Sequence, residues 1–177
     1  MNPAAPELQS DRLHLSQLTE DDAGLMLAVW NDPSFIRHVV DRGIRSEEAA
    51  LEAMREGVLR LYSEHGYGPY GLSLKSDSSN IGICGLFKRD NLDHPDIGYA
   101  LLPAYRGQGY ALEAARAVVA HAGEVMKLQK LLAIVSPGHA RSITLLEKLG
   151  MARAGTVRMP GDDEDILLFE LDLATGR

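Results

Sequence analysis

A glycine-rich run between an extended segment and an amphipathic helix is the feature that most restricts how this chain can fold. The run reads Arg106-Gly-Gln-Gly-Tyr-Ala111 and follows the extended segment 96–102. Glycines permit a tight turn and let another group approach the backbone closely. The first amide groups of a helix have no partner within the helix, and they lie at the positive end of its dipole. The run therefore predicts a strand–turn–helix unit that binds phosphate.

Two better-known phosphate-binding loops are absent from the chain. No Gly-x-x-x-x-Gly-Lys-Ser/Thr run occurs, which excludes a Walker-type nucleotide loop. No Gly-x-Gly-x-x-Gly run opens a helix, so the dinucleotide fingerprint is missing as well. The phosphate group must therefore belong to another kind of cofactor.

Length, charge and cysteine content restrict the class of protein. A chain of 177 residues is expected to form one domain, spanning 1–177. The net charge of −7 argues against a nucleic-acid partner and is compatible with a cationic substrate such as an amine. The one cysteine, Cys84, cannot form an intramolecular disulfide. Segment 1–7 does not resemble a signal peptide, and no apolar run reaches the about 20 residues of a membrane span. We therefore expect a cytoplasmic protein without a membrane partner.

The apolar patterns predict an α/β fold with the element order β-αα-βββ-α-β-α-ββ. Thr19 and Ser46 are predicted to cap the first two helices, and Asn31-Asp-Pro33 is expected to end the first of them. The early hairpins indicate antiparallel pairing, whereas the later strand–helix–strand unit indicates a right-handed parallel crossover. The result is a mixed sheet with helices on both faces. The later predicted elements are strands 81–87, 96–102 and 130–135, helices 109–124 and 140–149, and final strands 152–159 and 165–173.

Two motifs in this order resemble the GNAT acyltransferase superfamily. The signature Arg/Gln-x-x-Gly-x-Gly/Ala of that family is similar to Arg106-Gly-Gln-Gly-Tyr-Ala111, and Ser142-Ile-Thr-Leu-Leu-Glu-Lys-Leu-Gly-Met151 is similar to its helix after the fifth strand. The branch that the chain most resembles is the RimJ/RimL type. The resemblance implies a mostly antiparallel sheet of six to seven strands in which two central parallel strands splay apart.

The resemblance also implies acetyl-CoA as the co-substrate, held mainly by backbone groups. Amides from Gln108 to Ala111 would bind the pyrophosphate, and Arg106 would add a charge-assisted contact. His139 stands where relatives often carry asparagine, so it could contact the coenzyme, act near the chemistry or cap the helix. The full set of residues that we expect to bind the coenzyme is Leu101, Leu102, Arg106, Gly107, Gln108, Gly109, Tyr110, Ala111, His139 and Ser142.

Two residues are candidates for the proton transfers of acetyl transfer. Asp96 begins the strand before the loop and could act as a base, directly or through water. Its carboxyl group would need burial to raise a pKa that is ordinarily about 3.9. Ser142 matches the serine that is thought to assist the leaving thiolate in RimL-like enzymes. Both also have ordinary structural interpretations, as a solvated loop-end carboxylate and as a residue of a helix first turn. The tyrosine acid of many family members is replaced by Met151.

The resulting hypothesis is an N-acetyltransferase in which a primary amine attacks acetyl-CoA directly. The acceptor is a small-molecule amine or a protein N-terminus, and no metal is expected because the histidines lack metal-ligand spacing. The alternatives are an acyl-CoA-binding sensor without catalysis and a phosphate-binding module unrelated to coenzyme A. The sequence leaves open whether the protein is a monomer or a homodimer. Segments 20–66 and 158–165 are expected to set acceptor specificity.

Overall fold

Eight strands and six α-helices form the part of the chain that the computed structural model describes, residues 6–174. The strands are β1 (Leu8–Gln9), β2 (Leu13–Gln17), β3 (Pro69–Leu74), β4 (Asn80–Phe87), β5 (Asp96–Leu101), β6 (Lys130–Val135), β7 (Ala152–Arg158) and β8 (Asp165–Asp172). The helices are α1 (Ala23–Trp30), α2 (Pro33–His38), α3 (Glu47–Glu56), α4 (Val58–His65), α5 (Tyr110–Glu124) and α6 (Ala140–Lys148).

The strands form one mixed sheet in the order β1-β2-β3-β4-β5-β6-β8-β7. All neighbours are antiparallel except β5 and β6, which are parallel. Their register pairing is confined to Asp96 and Leu132, so these two strands diverge towards their C-terminal ends. The predicted mixed, mostly antiparallel fold is confirmed. The sheet has eight strands rather than six or seven, because a two-residue strand, Leu8–Gln9, pairs with β2.

Alternate residues of β4 face two separate apolar cores, as the period of a strand requires. Cys84 lies in the larger core, which α5 covers with residues such as Val118. Ile83 points to the other face, where Met26 of α1 and Met54 of α3 pack. The predicted layering of helices on both faces of the sheet is therefore confirmed.

The predicted end of the first helix is confirmed, but the same residues also begin another helix. Helix α1 ends at Trp30, and Pro33 occupies the first turn of α2. Proline is tolerated there because the first amide groups of a helix have no partner within it. The Asp32 side chain caps α2 by accepting from the amides of Ser34 and Phe35, each at 3.1 Å.

The second predicted helix is divided into two. Its predicted cap is confirmed, since the Ser46 hydroxyl accepts from the Ala49 amide at 3.2 Å. Gly57 ends α3 with φ −117° and ψ −98°, outside the helical region, and α4 starts at the next residue. The apolar stripe continues across this break, which is why periodicity alone predicts one helix.

The predicted end of the last helix, which is α6 in the structure, is confirmed to within one residue. Gly150 follows α6 with φ +92°, the left-handed conformation expected of a glycine after a helix C-terminus. None of the helices within residues 6–174 is both long and apolar enough to cross a bilayer.

Candidate active site

The glycine-rich run forms the predicted turn at the N-terminus of α5. Gly107 and Gly109 adopt φ angles of +76° and +83°, which favour glycine over any other residue. Helix α5 begins at Tyr110, and the Glu113 amide makes the first bond of the helix, to the Gly109 carbonyl at 3.1 Å. The amides before Glu113 have no carbonyl one turn earlier within the helix, so they remain available to an anion.

Arg12, the residue before β2, holds this loop in place. Its guanidinium donates to the Gln108 carbonyl at 2.9 Å and to Glu113 at 2.7 Å, and it lies 4.3 Å from the centre of the Tyr110 ring. Burial acts to raise the pKa of Glu113, but hydrogen bonds from Ser10 and Arg12 outweigh it, so the pKa is lowered. The loop is thus fixed by a charged residue about a hundred positions away, which sequence patterns do not reveal.

Arg106 links the end of β5 to α2. Its guanidinium donates to the Leu101 carbonyl at 3.1 and 2.8 Å, and it forms an ion pair with Asp32. The Leu102 amide donates to the Ile81 carbonyl at 2.8 Å. Leu101 and Leu102 are both expected to bind the coenzyme, but the Leu101 carbonyl and the Leu102 amide already have protein partners.

A cavity of about 640 Å³ lies against the loop and runs between α2, β5 and α6. This volume falls within the usual range of ligand sites, about 300–1,000 Å³. Eight of the predicted residues line it: Leu101, Arg106, Gly107, Gly109, Tyr110, Ala111, His139 and Ser142. Leu102, Gln108 and Asp96 are not among its lining residues. Residues that the sequence did not indicate also line it, among them Asp32, Phe35, Tyr99, Arg141 and Lys148.

The cavity is basic although the chain as a whole carries a net charge of −7. Arg106, Arg141 and Lys148 line it, whereas the acidic residue among its lining residues, Asp32, is already paired with Arg106. A local excess of positive charge attracts anionic ligands to a cleft. A ligand with several phosphate groups fits this charge distribution.

Ser142 and Tyr99 meet on the wall of the cavity. The Tyr99 hydroxyl lies 2.7 Å from Ser142 Oγ and 3.2 Å from the Ser142 carbonyl oxygen. Burial raises the pKa of Tyr99 to about 12, and the hydrogen bond with Ser142 opposes this effect only in part. On β5, both Tyr99 and its neighbour Ala100 line the cavity.

Asp96 lies at the point where β5 and β6 begin to diverge. Its side chain is 2% exposed and forms an ion pair with Arg89 at 3.1 Å. Burial raises the pKa of Asp96, and the charge and hydrogen bond of Arg89 act in the opposite direction. Burial of this kind is what the carboxylate needs if it is to work as a base at neutral pH.

His139, which lines the cavity, stacks against His38 of α2. The ring centres lie 4.2 Å apart and the rings are 7° from parallel. Burial lowers the pKa of His139, and the neighbouring His38, Arg106 and Arg141 lower it further. His139 also occupies the position before α6 without a side-chain cap bond, so its side chain is placed for contacts in the cleft.

Other side chains that the sequence brings into consideration lie in the core. Cys84 is fully buried, and burial raises its pKa to about 12, which suppresses the reactive thiolate. Met151 is 4% exposed and Trp30 is 3% exposed. Within residues 6–174, no group of three or more His, Cys, Asp or Glu side chains is arranged to hold a metal ion.

These features together fit an acyl-CoA-type transferase site. A glycine turn with unpaired helix amides, a basic cavity and two diverging parallel strands lie next to one another. Gly107 leaves open space beside the backbone, since a Cβ there would have no atom within 4 Å, whereas a Cβ at Gly109 would lie 3.3 Å from the Arg12 guanidinium. The residues present thus fit a long thioester cofactor that carries phosphate groups.

The chain belongs to the GNAT acetyltransferase family, because the family described as "Acetyltransferase (GNAT) domain" matches residues 12–152. It is accordingly an acetyl-CoA-dependent N-acetyltransferase. The chain is 28% identical to the uncharacterized protein YkkB of Bacillus subtilis over 88% of its length and 90% of that protein. It is 27% identical to the uncharacterized N-acetyltransferase YoaA of the same organism, with 86% of each chain covered.

The fold is also that of a solved protein acetyltransferase. RimL, a ribosomal L7/L12 α-N-protein acetyltransferase in complex with coenzyme A, superposes with a TM-score of 0.80. The match covers 94% of this chain and 98% of that one at 15% sequence identity. At this identity the likeness concerns the fold, and the confirmed prediction is membership of the superfamily.

Proposed function

We propose that this enzyme acetylates a primary α-amine, at a protein N-terminus or on a small molecule, by direct attack of the amine on acetyl-CoA. The main support for this proposal is that the glycine turn and Ser142 line the same cavity. Acetyl-CoA supplies a thioester carbon that accepts the amine nitrogen. RimL, whose fold this chain shares, acts on a protein α-amine, which supports the same class of acceptor here.

The loop residues would hold the coenzyme by backbone contacts. Gly107 and Gly109 keep the turn open, and the first amides of α5 would donate to the pyrophosphate. Arg141 and Lys148, both lining the cavity, would add positive charge along the same ligand. Arg106 would mainly hold α2 and the end of β5 together rather than bind the coenzyme, because its guanidinium already contacts Asp32 and the Leu101 carbonyl.

The protonation state of the acceptor favours α-amines. An α-amine with a pKa of about 8 is roughly one-tenth neutral at pH 7, whereas a lysine amine with a pKa of about 10.4 is almost entirely charged. A carboxylate is too weak a base to deprotonate a lysine amine readily. Asp96 would accept the proton of an α-amine more readily, directly or through water, because burial raises its own pKa.

Thiol release from acetyl-CoA, measured against a panel of acceptors, tests the proposed function. The panel contains peptides with free N-termini, amino acid amides, polyamines and N-acetylated peptides that retain a lysine. We expect turnover with the free α-amines and none with their N-acetylated forms. Calorimetric binding of coenzyme A without turnover on any amine would contradict catalysis and favour the sensor interpretation.

Replacing Asp96 with asparagine is expected to lower kcat/KM at least tenfold, the low end of the usual effect of general base catalysis, which is about 10²–10⁴-fold. Protonation of the acceptor amine lowers the rate of every variant below about pH 8. The wild-type rate should show a further acidic limb as the pH falls through the raised pKa of Asp96, because only the carboxylate accepts a proton. The variant should lose this further acidic limb while its affinity for coenzyme A stays unchanged. The measurement is kcat/KM from pH 4 to 9 with a peptide acceptor.

The matched control is Asp93→Asn, which removes an exposed carboxylate from the loop just before β5. It should retain both the rate and the acidic limb. If Asp96→Asn kept the wild-type pH profile, Asp96 would have no part in the proton transfer.

A further inference from the structure

The hydrogen bond between Tyr99 and Ser142 spans the wedge between the two diverging strands. Tyr99 lies on β5, three residues beyond the Asp96–Leu132 register pair, and Ser142 lies in the first turn of α6, which follows β6. The two hydroxyl oxygens are 2.7 Å apart and both residues line the cavity. The contact therefore lies where the two sides of the cofactor cleft come together.

The direction of this hydrogen bond decides what Ser142 can do. The Ser142 carbonyl, 3.2 Å from the Tyr99 hydroxyl, can only accept a hydrogen bond. If Tyr99 donates to that carbonyl, the serine hydrogen turns towards Tyr99 and away from the cleft. If Tyr99 donates to Ser142 Oγ, the serine hydrogen is free to point into the cavity.

The surroundings keep Tyr99 a donor. The side chain lies opposite the fully buried Cys84 on the neighbouring strand, and burial raises the pKa of Tyr99 to about 12. A thiol has an ordinary pKa of about 8.5, so a thiolate cannot readily take a proton from such a phenol. Tyr99 consequently stays protonated throughout the reaction.

We propose that Tyr99 is a positioning residue that donates to Ser142 Oγ and thereby directs the serine hydrogen at the sulfur of the departing thiolate. The inference rests on the proposed function. It assigns the stabilisation of the leaving group to two hydroxyl groups, those of Tyr99 and Ser142, instead of to a single serine. This pair would serve the leaving group in place of the tyrosine acid of many family members, whose position Met151 occupies here.

The step requires no net proton transfer from either hydroxyl. The new bond forms between the amine nitrogen and the acetyl carbon, and the carbon–sulfur bond breaks with its electron pair on sulfur. The nitrogen loses its proton to the base. The thiolate leaves with a hydrogen bond from Ser142 and takes up a proton from water after it has departed.

Replacing Tyr99 with phenylalanine should lower kcat roughly tenfold, about the effect of one hydrogen bond on a transition state. The KM for acetyl-CoA should stay within twofold, because the ring and its packing remain. Ser142→Ala should lower kcat at least as much. The double variant should be no slower than Ser142→Ala alone, since the two residues act as one unit.

Tyr105→Phe is the matched control, since Tyr105 is partly buried beside the same core but does not line the cavity. It should keep the wild-type kcat. The inference is overturned if Tyr99→Phe keeps kcat within twofold of the wild type, or if its effect and that of Ser142→Ala multiply. It is also overturned if the wild-type rate falls as the pH rises, with a midpoint below about pH 10, and Tyr99→Phe lacks this basic limb, because Tyr99 would then be a net acid.

A second variant separates the hydrogen bond from packing. Incorporation of 3-fluorotyrosine at position 99 adds a fluorine to the packed ring but keeps the hydroxyl, so kcat should stay within twofold of the wild type. A rate as low as that of Tyr99→Phe would overturn the inference, because the hydroxyl that donates to Ser142 Oγ would still be present. Wild-type turnover is measured first: its absence would refute the proposed function, whereas unchanged kinetics of Tyr99→Phe in an active enzyme would refute this inference alone.

Discussion

Replacing Arg106 with alanine is expected to lower the free energy of unfolding by about 3 kcal/mol, because it leaves a buried carboxylate without its counter-charge. The Asp32 side chain is 4% exposed, and after the substitution only the amides of Ser34 and Phe35 would bind it. The Leu101 carbonyl would lose both of its bonds from the guanidinium. Urea unfolding of the apoprotein, followed by circular dichroism, measures the change.

Arg158→Ala is the control for loss of an arginine ion pair as such. Arg158 pairs with Asp165 at 2.8 Å, but the two side chains are 60% and 47% exposed. An exposed pair of this kind contributes about 0–1 kcal/mol. If Arg106→Ala cost no more than Arg158→Ala, the Arg106–Asp32 pair would not hold α2 to the end of β5.

Arg106→Lys separates charge from geometry. Lysine keeps the positive charge, but it lacks the planar guanidinium that donates to Asp32 and to the Leu101 carbonyl at the same time. We expect a stability between those of the wild type and Arg106→Ala.

Contacts between residues far apart in the chain, such as Arg106–Asp32, are the features that could not be predicted from the sequence. The phosphate turn, the first turn of α6 and the order of the strands follow from short motifs and from periodicity, because each is encoded within a few neighbouring residues. The pairs Arg106–Asp32 and Tyr99–Ser142 join positions 74 and 43 residues apart. Neither pair leaves a pattern in the chain, since each residue has an ordinary local role as well.

Segment 31–33 illustrates the same limit within a single turn. Asn31-Asp-Pro33 ends α1, as predicted, because proline resists continuation of a helix. The same proline is well suited to the first turn of the next helix, and Asp32 is a good cap for it. Only the fold shows that Asp32 has a second role: its ion pair with Arg106 holds that residue beside the cavity.

The glycine turn itself is expected to control coenzyme affinity more than any other part of the site. Replacing Gly107 with valine should raise the Kd for coenzyme A at least tenfold. Gly107 has φ +76°, and a branched side chain there both strains the backbone and occupies the open space in which the pyrophosphate would lie. Calorimetric titration of the variant with coenzyme A measures the change.

Gly66→Val separates backbone strain from the loss of the phosphate site. Gly66 follows α4 with φ +74°, and a Cβ there would also have no atom within 4 Å, so the two glycines are matched in conformation and free space. Both variants should lose about 1–2 kcal/mol of stability, the cost of a left-handed conformation for other residues. Only Gly107→Val should lose affinity, because Gly66 is not among the residues that line the cavity. Equal affinities in the two variants would mean that the pyrophosphate lies elsewhere, and the basic residues of α6 would then have to hold the coenzyme without the turn.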